Sequence, residues 1–162
     1  MVATFSVIMA KHFQVLVIGG GNAGLSAAAL LLIKNSKLTV GIVEPSEKHY
    51  YQPAWTLVGG GVFNIKDTER NERDFIPKGA EWIKDKVASF QPDRNEVTLA
   101  SGNAIGYDQL LVCPGIQLDW SAVKGLPECL GKDGVCSNYS FTHAPYTWAC
   151  IKGLRKGKAI FH

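Results

Sequence analysis

Gly19, Gly21 and Gly24, with Asn22 and Ala23 between the last two, lie in the run Gly19-Gly20-Gly21-Asn22-Ala23-Gly24, and an acid, Glu44, follows Gly24 by twenty residues. These residue types break no bonds; their chemistry is recognition of an anion. Gly19 permits a tight turn, Gly21 lets the backbone approach a pyrophosphate, and Gly24 lets a helix pack closely on a strand. A helix starting there adds free amides and the positive end of its dipole. Glu44 would accept hydrogen bonds from an adenosine ribose, and its charge would repel a 2′-phosphate, so FAD or NAD fits and NADP does not. The other reactive groups are Cys113, Cys129, Cys136 and Cys150, spaced 16, 7 and 14 apart. That spacing matches neither a CxxC redox pair nor paired zinc ligands. They read as free thiols in a reducing compartment, and no metal site is expected.

The elements that must hold these residues are visible around them. Gln14 to Ile18 reads as a strand, Ala23 to Ile33 as an alanine-rich helix, and Leu38 to Val43 as a second strand ending on Glu44, which makes a βαβ unit. The aromatic and proline-rich stretch Pro45 to Trp55 then opens at the C-terminal edge of that strand, where open α/β sheets take their ligands. The mixed-charge stretch Asn64 to Asp74 reads as a solvated connection. Ala80 to Val87 alternates like one strand, Pro92 to Asn95 forms a turn, and Glu96 to Leu99 returns, giving an antiparallel excursion. Leu110 to Val112 reads as a buried central strand. Residues 116–138 are loop-like; Ala144 to Lys156 follows as a helix with Trp148, Ile151 and Leu154 on one face. Lys158 to His162 opens a further strand, so the chain reads as cut there. The expected fold is α/β and Rossmann-like, three layers deep, with a parallel sheet and an antiparallel excursion.

Composition narrows the function classes. The chain has 162 residues, 46% of them hydrophobic, and a formal net charge of +3, enough for one sizeable core. Basic and acidic residues are mixed, without the basic stripe a nucleic acid needs, so no nucleic-acid partner is expected. The longest apolar run, Leu25 to Ile33, is well short of the ~20 residues that span a bilayer. Residues 1–12 form a leader of unknown role in which no targeting segment is evident.

The chain resembles the N-terminal portion of sulfide:quinone oxidoreductases, especially their mitochondrial, animal-type members. The likeness rests on Val17 to Gly24, on Val43 to Gly59, on Glu81-Trp82-Ile83-Lys84, and on Gly115-Ile116-Gln117-Leu118-Asp119. It runs on through Lys124 to Glu128 and Ser137 to Ser140 to Ala159-Ile160-Phe161. The resemblance implies a flavoprotein of two dinucleotide-binding domains in which sulfide attacks a cysteine disulfide or trisulfide and electrons pass through FAD to ubiquinone. A small-molecule sulfur acceptor, a mitochondrial location at the inner membrane, and peripheral membrane contact through a C-terminal part absent from this sequence are implied with it. Carried over by position, Gly19, Gly21, Asn22, Ala23 and Gly24 would hold the pyrophosphate and Glu44 the ribose. Gln52 would bind FAD from the aromatic loop, and Val87 would meet the adenine through its backbone. The implied divisions are an FAD-binding domain over 13–120, a linker and helix over 121–157, and the start of a second domain at 158–162.

Two features depart from that pattern. Cys113-Pro114-Gly115 stands where relatives carry a small turn against the cofactor, and proline removes an amide donor. None of the four cysteines matches the family's redox pair, which would fall past His162, and Cys136 reads as a loop cysteine. The 162 residues are therefore expected to bind FAD without turning over sulfide. Two alternatives stay open: a non-catalytic flavin-binding fragment or pseudoenzyme, and a flavoprotein like the type-II NADH:quinone reductases.

Overall fold

The computed structural model describes residues 11–161, which fall into two compact units. The first comprises residues 11–49 and 71–115, the second 50–70 and 116–161. The leader, apart from its last two residues, and His162 lie outside the described residues.

In the first unit, Val15, Leu16, Val17 and Ile18 are all buried. A strand covered on both faces belongs in the middle of a parallel sheet, and β1 (Lys11–Ile18) does lie between parallel β2 (Val40–Val43) and β8 (Ala104–Val112). Two short strands, β3 (Lys48–Tyr50) and β4 (Glu69–Asn71), stand outside the large sheet. β5 (Ala80–Ile83) runs parallel to β2, while β6 (Val87–Gln91), β7 (Glu96–Leu99) and β8 form an antiparallel meander. The order of the large sheet is β5-β2-β1-β8-β7-β6.

This order forces curvature. A flat six-stranded sheet would separate its outer strands by about 24 Å. Yet β5 ends at Ile83 and β6 begins at Val87, a stretch that reaches at most about 14 Å fully extended. The meander must therefore fold over the parallel strands. Phe13, Leu16, Ile18 and Val43 of the parallel strands share one cluster with Val97, Leu99, Ile105 and Tyr107 of the meander. The other face carries α1 (Asn22–Lys34), whose Leu25, Ala28 and Leu32 pack on Val15, Val17, Val40 and Ile42. Meander, parallel strands and helix are the three layers anticipated. Gly41 makes room within the first cluster, since a Cβ there would stand 2.7 Å from the Phe13 ring.

Several local expectations need correction. Ala80 to Val87 is two strands, not one: Asp85 donates its N–H to the Ile83 carbonyl and takes the Lys86 N–H on its carboxylate, a turn that moves the chain from one sheet edge to the other. Val87 consequently begins a strand instead of ending one. The stretch Asn64 to Asp74 is largely exposed, as a solvated connection would be, except at Thr68 and Glu72, which are each 1% exposed. Lys158 to Phe161 forms no strand; a strand needs a neighbour to satisfy its backbone.

In the second unit, α2 (Trp55–Gly59), α3 (Leu126–Cys129) and α4 (Ala144–Gly153) are the helices. Trp55 donates its indole N–H to the Thr68 hydroxyl at 3.0 Å, and Thr68 donates to the Ile65 carbonyl at 2.7 Å. Tyr50, Trp55 and Phe141 meet through their rings. On α4 the buried residues are Ala144 and Thr147, whereas the face of Trp148, Ile151 and Leu154 is 38 to 50% exposed.

Candidate functional site

The glycine turn joins β1 to α1 in the first unit. Gly19 adopts φ +103°, the left-handed region that favours glycine, and a Cβ on it would collide with the Cys113 carbonyl at the end of β8. A Cβ on Gly24 would meet the Gly19 carbonyl and stand 3.0 Å from Val17. Gly21 differs from both. Its φ of −72° suits any residue, and a Cβ there would find nothing within 4 Å. As the N-cap of α1 it receives no side-chain cap, and no acid occupies the first turn. The amides of Asn22, Ala23 and Gly24 thus begin a helix with neither a side-chain cap nor an acid in its first turn, beside open space. A diphosphate fits that cradle.

Glu44 is fixed at the edge of the turn by hydrogen bonds to both its carboxylate and its backbone, its own N–H donating to the Ile83 carbonyl at 3.0 Å. Gly20 donates its N–H to Oε2 and Ser46 its N–H to Oε1, both at 2.7 Å. Trp82 donates its indole N–H to the Glu44 backbone carbonyl at 2.8 Å. Each carboxylate oxygen has a second lone pair, so the acid is held in place and can still accept ribose hydroxyls.

Beneath Gly20 sits a second carboxylate that no sequence signal singles out, since Glu72 stands in a run of mixed charges. Its side chain is 2% exposed, and Oε2 meets His49 Nδ1 at 3.2 Å. His49 stacks on Phe75 with ring centroids 4.8 Å apart. The other oxygen, Oε1, is buried with no hydrogen-bond partner. Burial above all pushes the Glu72 carboxyl above the usual carboxylate range, against the pull of His49, and Glu44 adds repulsion. Gly20 has to be glycine, because a Cβ there would overlap Glu72 Oε1 and stand 2.6 Å from Glu44 Cγ. Gly20, Ser46, His49, Glu72 and Trp82 therefore join the residues chosen from sequence. Only the Gly-Gly-Gly run and the tryptophan beside an acid offered any signal for them.

The remaining sequence candidates are placed as follows. Val87 is half-buried against the cluster of the meander and pairs with Leu99, with a bulge before Ser89. Gln52 belongs to the second unit, exposed at the start of a 3-10 turn, Gln52–Ala54. All four cysteines are free thiols. Cys136 and Cys150 line one cavity of about 710 Å³ within the second unit, and Cys113 directly follows β8 in the first. No cluster that could hold a metal ion occurs among the described residues. Nor is any described helix long and apolar enough to cross a membrane.

Known proteins are similar to this chain in sequence and in fold. The chain is 53% identical over 150 residues to the mitochondrial sulfide:quinone oxidoreductase of Dictyostelium discoideum, a match covering 91% of this chain and 33% of that protein. It is 42% identical over 151 residues to the mitochondrial enzyme of that name from Mus musculus, covering 93% and 34%. The crystal structure of the sulfide:quinone oxidoreductase of Aquifex aeolicus superposes with a TM-score of 0.68 at 27% identity, covering 88% of this chain and 32% of that one. The chain spans about a third of the length of these relatives. Residues 13–145 match the pyridine nucleotide-disulphide oxidoreductase family, and with the curled sheet, the glycine turn and the tethered acid in place, the chain belongs to that family.

Proposed function

We propose that these residues form the FAD-holding part of a sulfide:quinone oxidoreductase, an enzyme that oxidises hydrogen sulfide and delivers the electrons through FAD to ubiquinone, with a small-molecule sulfur acceptor. The family and the relatives support a flavin; FAD is the finer reading. The observation that carries it is the open space over Gly21 beside a Glu44 held by two amides. FMN has no adenosine ribose for Glu44 and no diphosphate for the turn. A bound flavin supplies the two-electron chemistry, and the chain's own residues bind and orient it. Gly19, Gly21, Asn22, Ala23 and Gly24 receive the pyrophosphate, Glu44 the ribose hydroxyls, and the Val87 backbone the adenine. Gln52 is included on the strength of the resemblance alone. No residue of this chain is assigned a catalytic role. The same reading divides the chain into an FAD-binding domain at 13–120, a linker and helix at 121–157 and the start of a second dinucleotide-type domain at 158–162. Relatives named as mitochondrial support a mitochondrial location, and we assign the enzyme to the inner membrane.

A chimera tests the reading. Residues 13–145 replace the matching segment of the Dictyostelium enzyme, and sulfide-dependent reduction of a soluble ubiquinone analogue is followed with the unmodified enzyme as control. Activity within about tenfold of the control, with FAD released on denaturation, is the expected result. A folded, FAD-loaded chimera without turnover would overturn the assignment of activity; a folded chimera that releases FMN or no flavin would overturn the cofactor.

A further inference from the structure

Glu72 plays no part in the binding scheme above, yet it is the most deeply buried acid of the described residues. It reaches the underside of the turn, with Oε1 against Gly20 and no hydrogen-bond partner, while Oε2 holds His49. Its backbone N–H is anchored on the Glu47 carbonyl at 2.9 Å, which fixes the main chain from which the carboxylate reaches the turn. The titratable groups facing it are His49 from β3 and Glu44 from the end of β2; the glycine turn brings no side chain. Glu47 is engaged by Lys84, and Arg73 lies over the Trp82 ring. An ionised Glu72 is therefore one of two carboxylates under the place where a diphosphate would bring more negative charge, and only one of the two has amide donors. Like charges gathered in one desolvated place cannot all stay ionised cheaply.

Resting on the dinucleotide reading of this site, we propose that Glu72 is a positioning residue that braces Gly20 and Glu44 and accepts one proton when a dinucleotide diphosphate occupies the turn. The balance is simple: one proton passes from solvent to the Glu72–His49 pair for each ligand bound, and no covalent bond changes. Binding then strengthens as pH falls. Burial and the nearby Glu44 already push Glu72 towards its neutral form in the free protein, and the ligand completes the shift.

The test is calorimetric titration of the 162-residue chain with FAD and with ADP-ribose, whose diphosphate diester does not titrate near neutrality. Titrations run from pH 6 to 8.5 in buffers of different ionisation heat. Wild type is expected to take up as much as one proton and to lose up to about tenfold in affinity per pH unit over the part of that range where it does. Glu72→Gln should bind with a flat profile near the wild-type acid limit and take up none. Equal slopes in the two proteins, or a wild type that binds without proton uptake, overturn the proposal and leave the dinucleotide reading standing. Absence of binding of both ligands at every pH overturns that reading, and the proposal with it. Should Glu72→Gln fail to fold, His49→Gln replaces it: removing the imidazole that favours the ionised carboxylate should move the midpoint of proton uptake to higher pH, and an unmoved midpoint counts against the pair.

Discussion

Gly20 and Gly21 are neighbours with opposite demands. A methyl group on Gly20 would overlap Glu72 and crowd Glu44, while one on Gly21 would stand in open space. Gly20→Ala should therefore cost about 1–3 kcal/mol, lowering Tm by several degrees with or without ligand. Gly21→Val should lower the unliganded Tm by less than Gly20→Ala does, the cost of a poorer N-cap, and abolish binding of FAD, read by thermal denaturation and by flavin fluorescence. Retained stoichiometric flavin in that variant would remove the turn from the site. Glu72 gives a stability prediction with a defined sign. Its carboxyl is held above its ordinary range when folded, so the native state binds its proton more tightly than the unfolded chain. Its contribution is most favourable at low pH and declines as pH rises through the folded value. Glu72→Gln should accordingly raise stability at pH 8 by about 1 kcal/mol, the scale of an unpaired buried polar group, and the gain should shrink towards pH 5. Denaturant titrations at the two pH values measure it.

At the scale of elements, the meander is as much a part of the first unit's core as the parallel strands. Val97 on β7 is fully buried in the cluster that contains Leu16 of β1. Val97→Ala should destabilise by about 2 kcal/mol and Leu16→Ala by about 3 kcal/mol. If β6, β7 and β8 unfold together with β1 and β2, hydrogen exchange at the amides of Ile42 and Ile105 should speed up by the same factor in either variant. Protection of Ile42 that survives Val97→Ala would show the meander to be a separately unfolding layer. Trp82 ties the elements to the site, since its indole holds the carbonyl of Glu44. Trp82→Phe should lower affinity for FAD by a few-fold, the scale of one neutral hydrogen bond of about 1 kcal/mol.

Over the whole molecule, large apolar side chains reach solvent in unusual number. On α1, Leu30 is 59% and Ile33 80% exposed, and Ile116, Ile160 and Phe161 exceed 80%. Contiguous apolar surface drives association, so the 162-residue chain is expected to self-associate as its concentration rises. Leu30→Lys with Ile33→Glu should reduce that association without lowering Tm, because neither residue belongs to a core cluster. Sedimentation velocity over a hundredfold concentration range decides the point; a wild-type chain that stays monomeric throughout would refute it.

The βαβ unit was legible in the chain because its signals are local: apolar runs of strand length, an alanine-rich helix, glycines at fixed offsets and an acid at the end of the second strand. Glu96 to Leu99 was read with its observed bounds for the same reason, a turn followed by alternation. The break at Asp85 is not legible, since Ala80 to Val87 alternates without a gap and only the strand order of the sheet puts β5, beside β2, and β6, beside β7, at opposite edges. Glu72 was hidden more deeply. In sequence it is one charge among many in a polar stretch, and burial of an acid is set by what packs over it from β2, β3 and the glycine turn. Local chemistry marks a turn that welcomes an anion; only the tertiary structure brings a second carboxylate beneath it, because charges far apart along a chain interact once folding has removed the water between them.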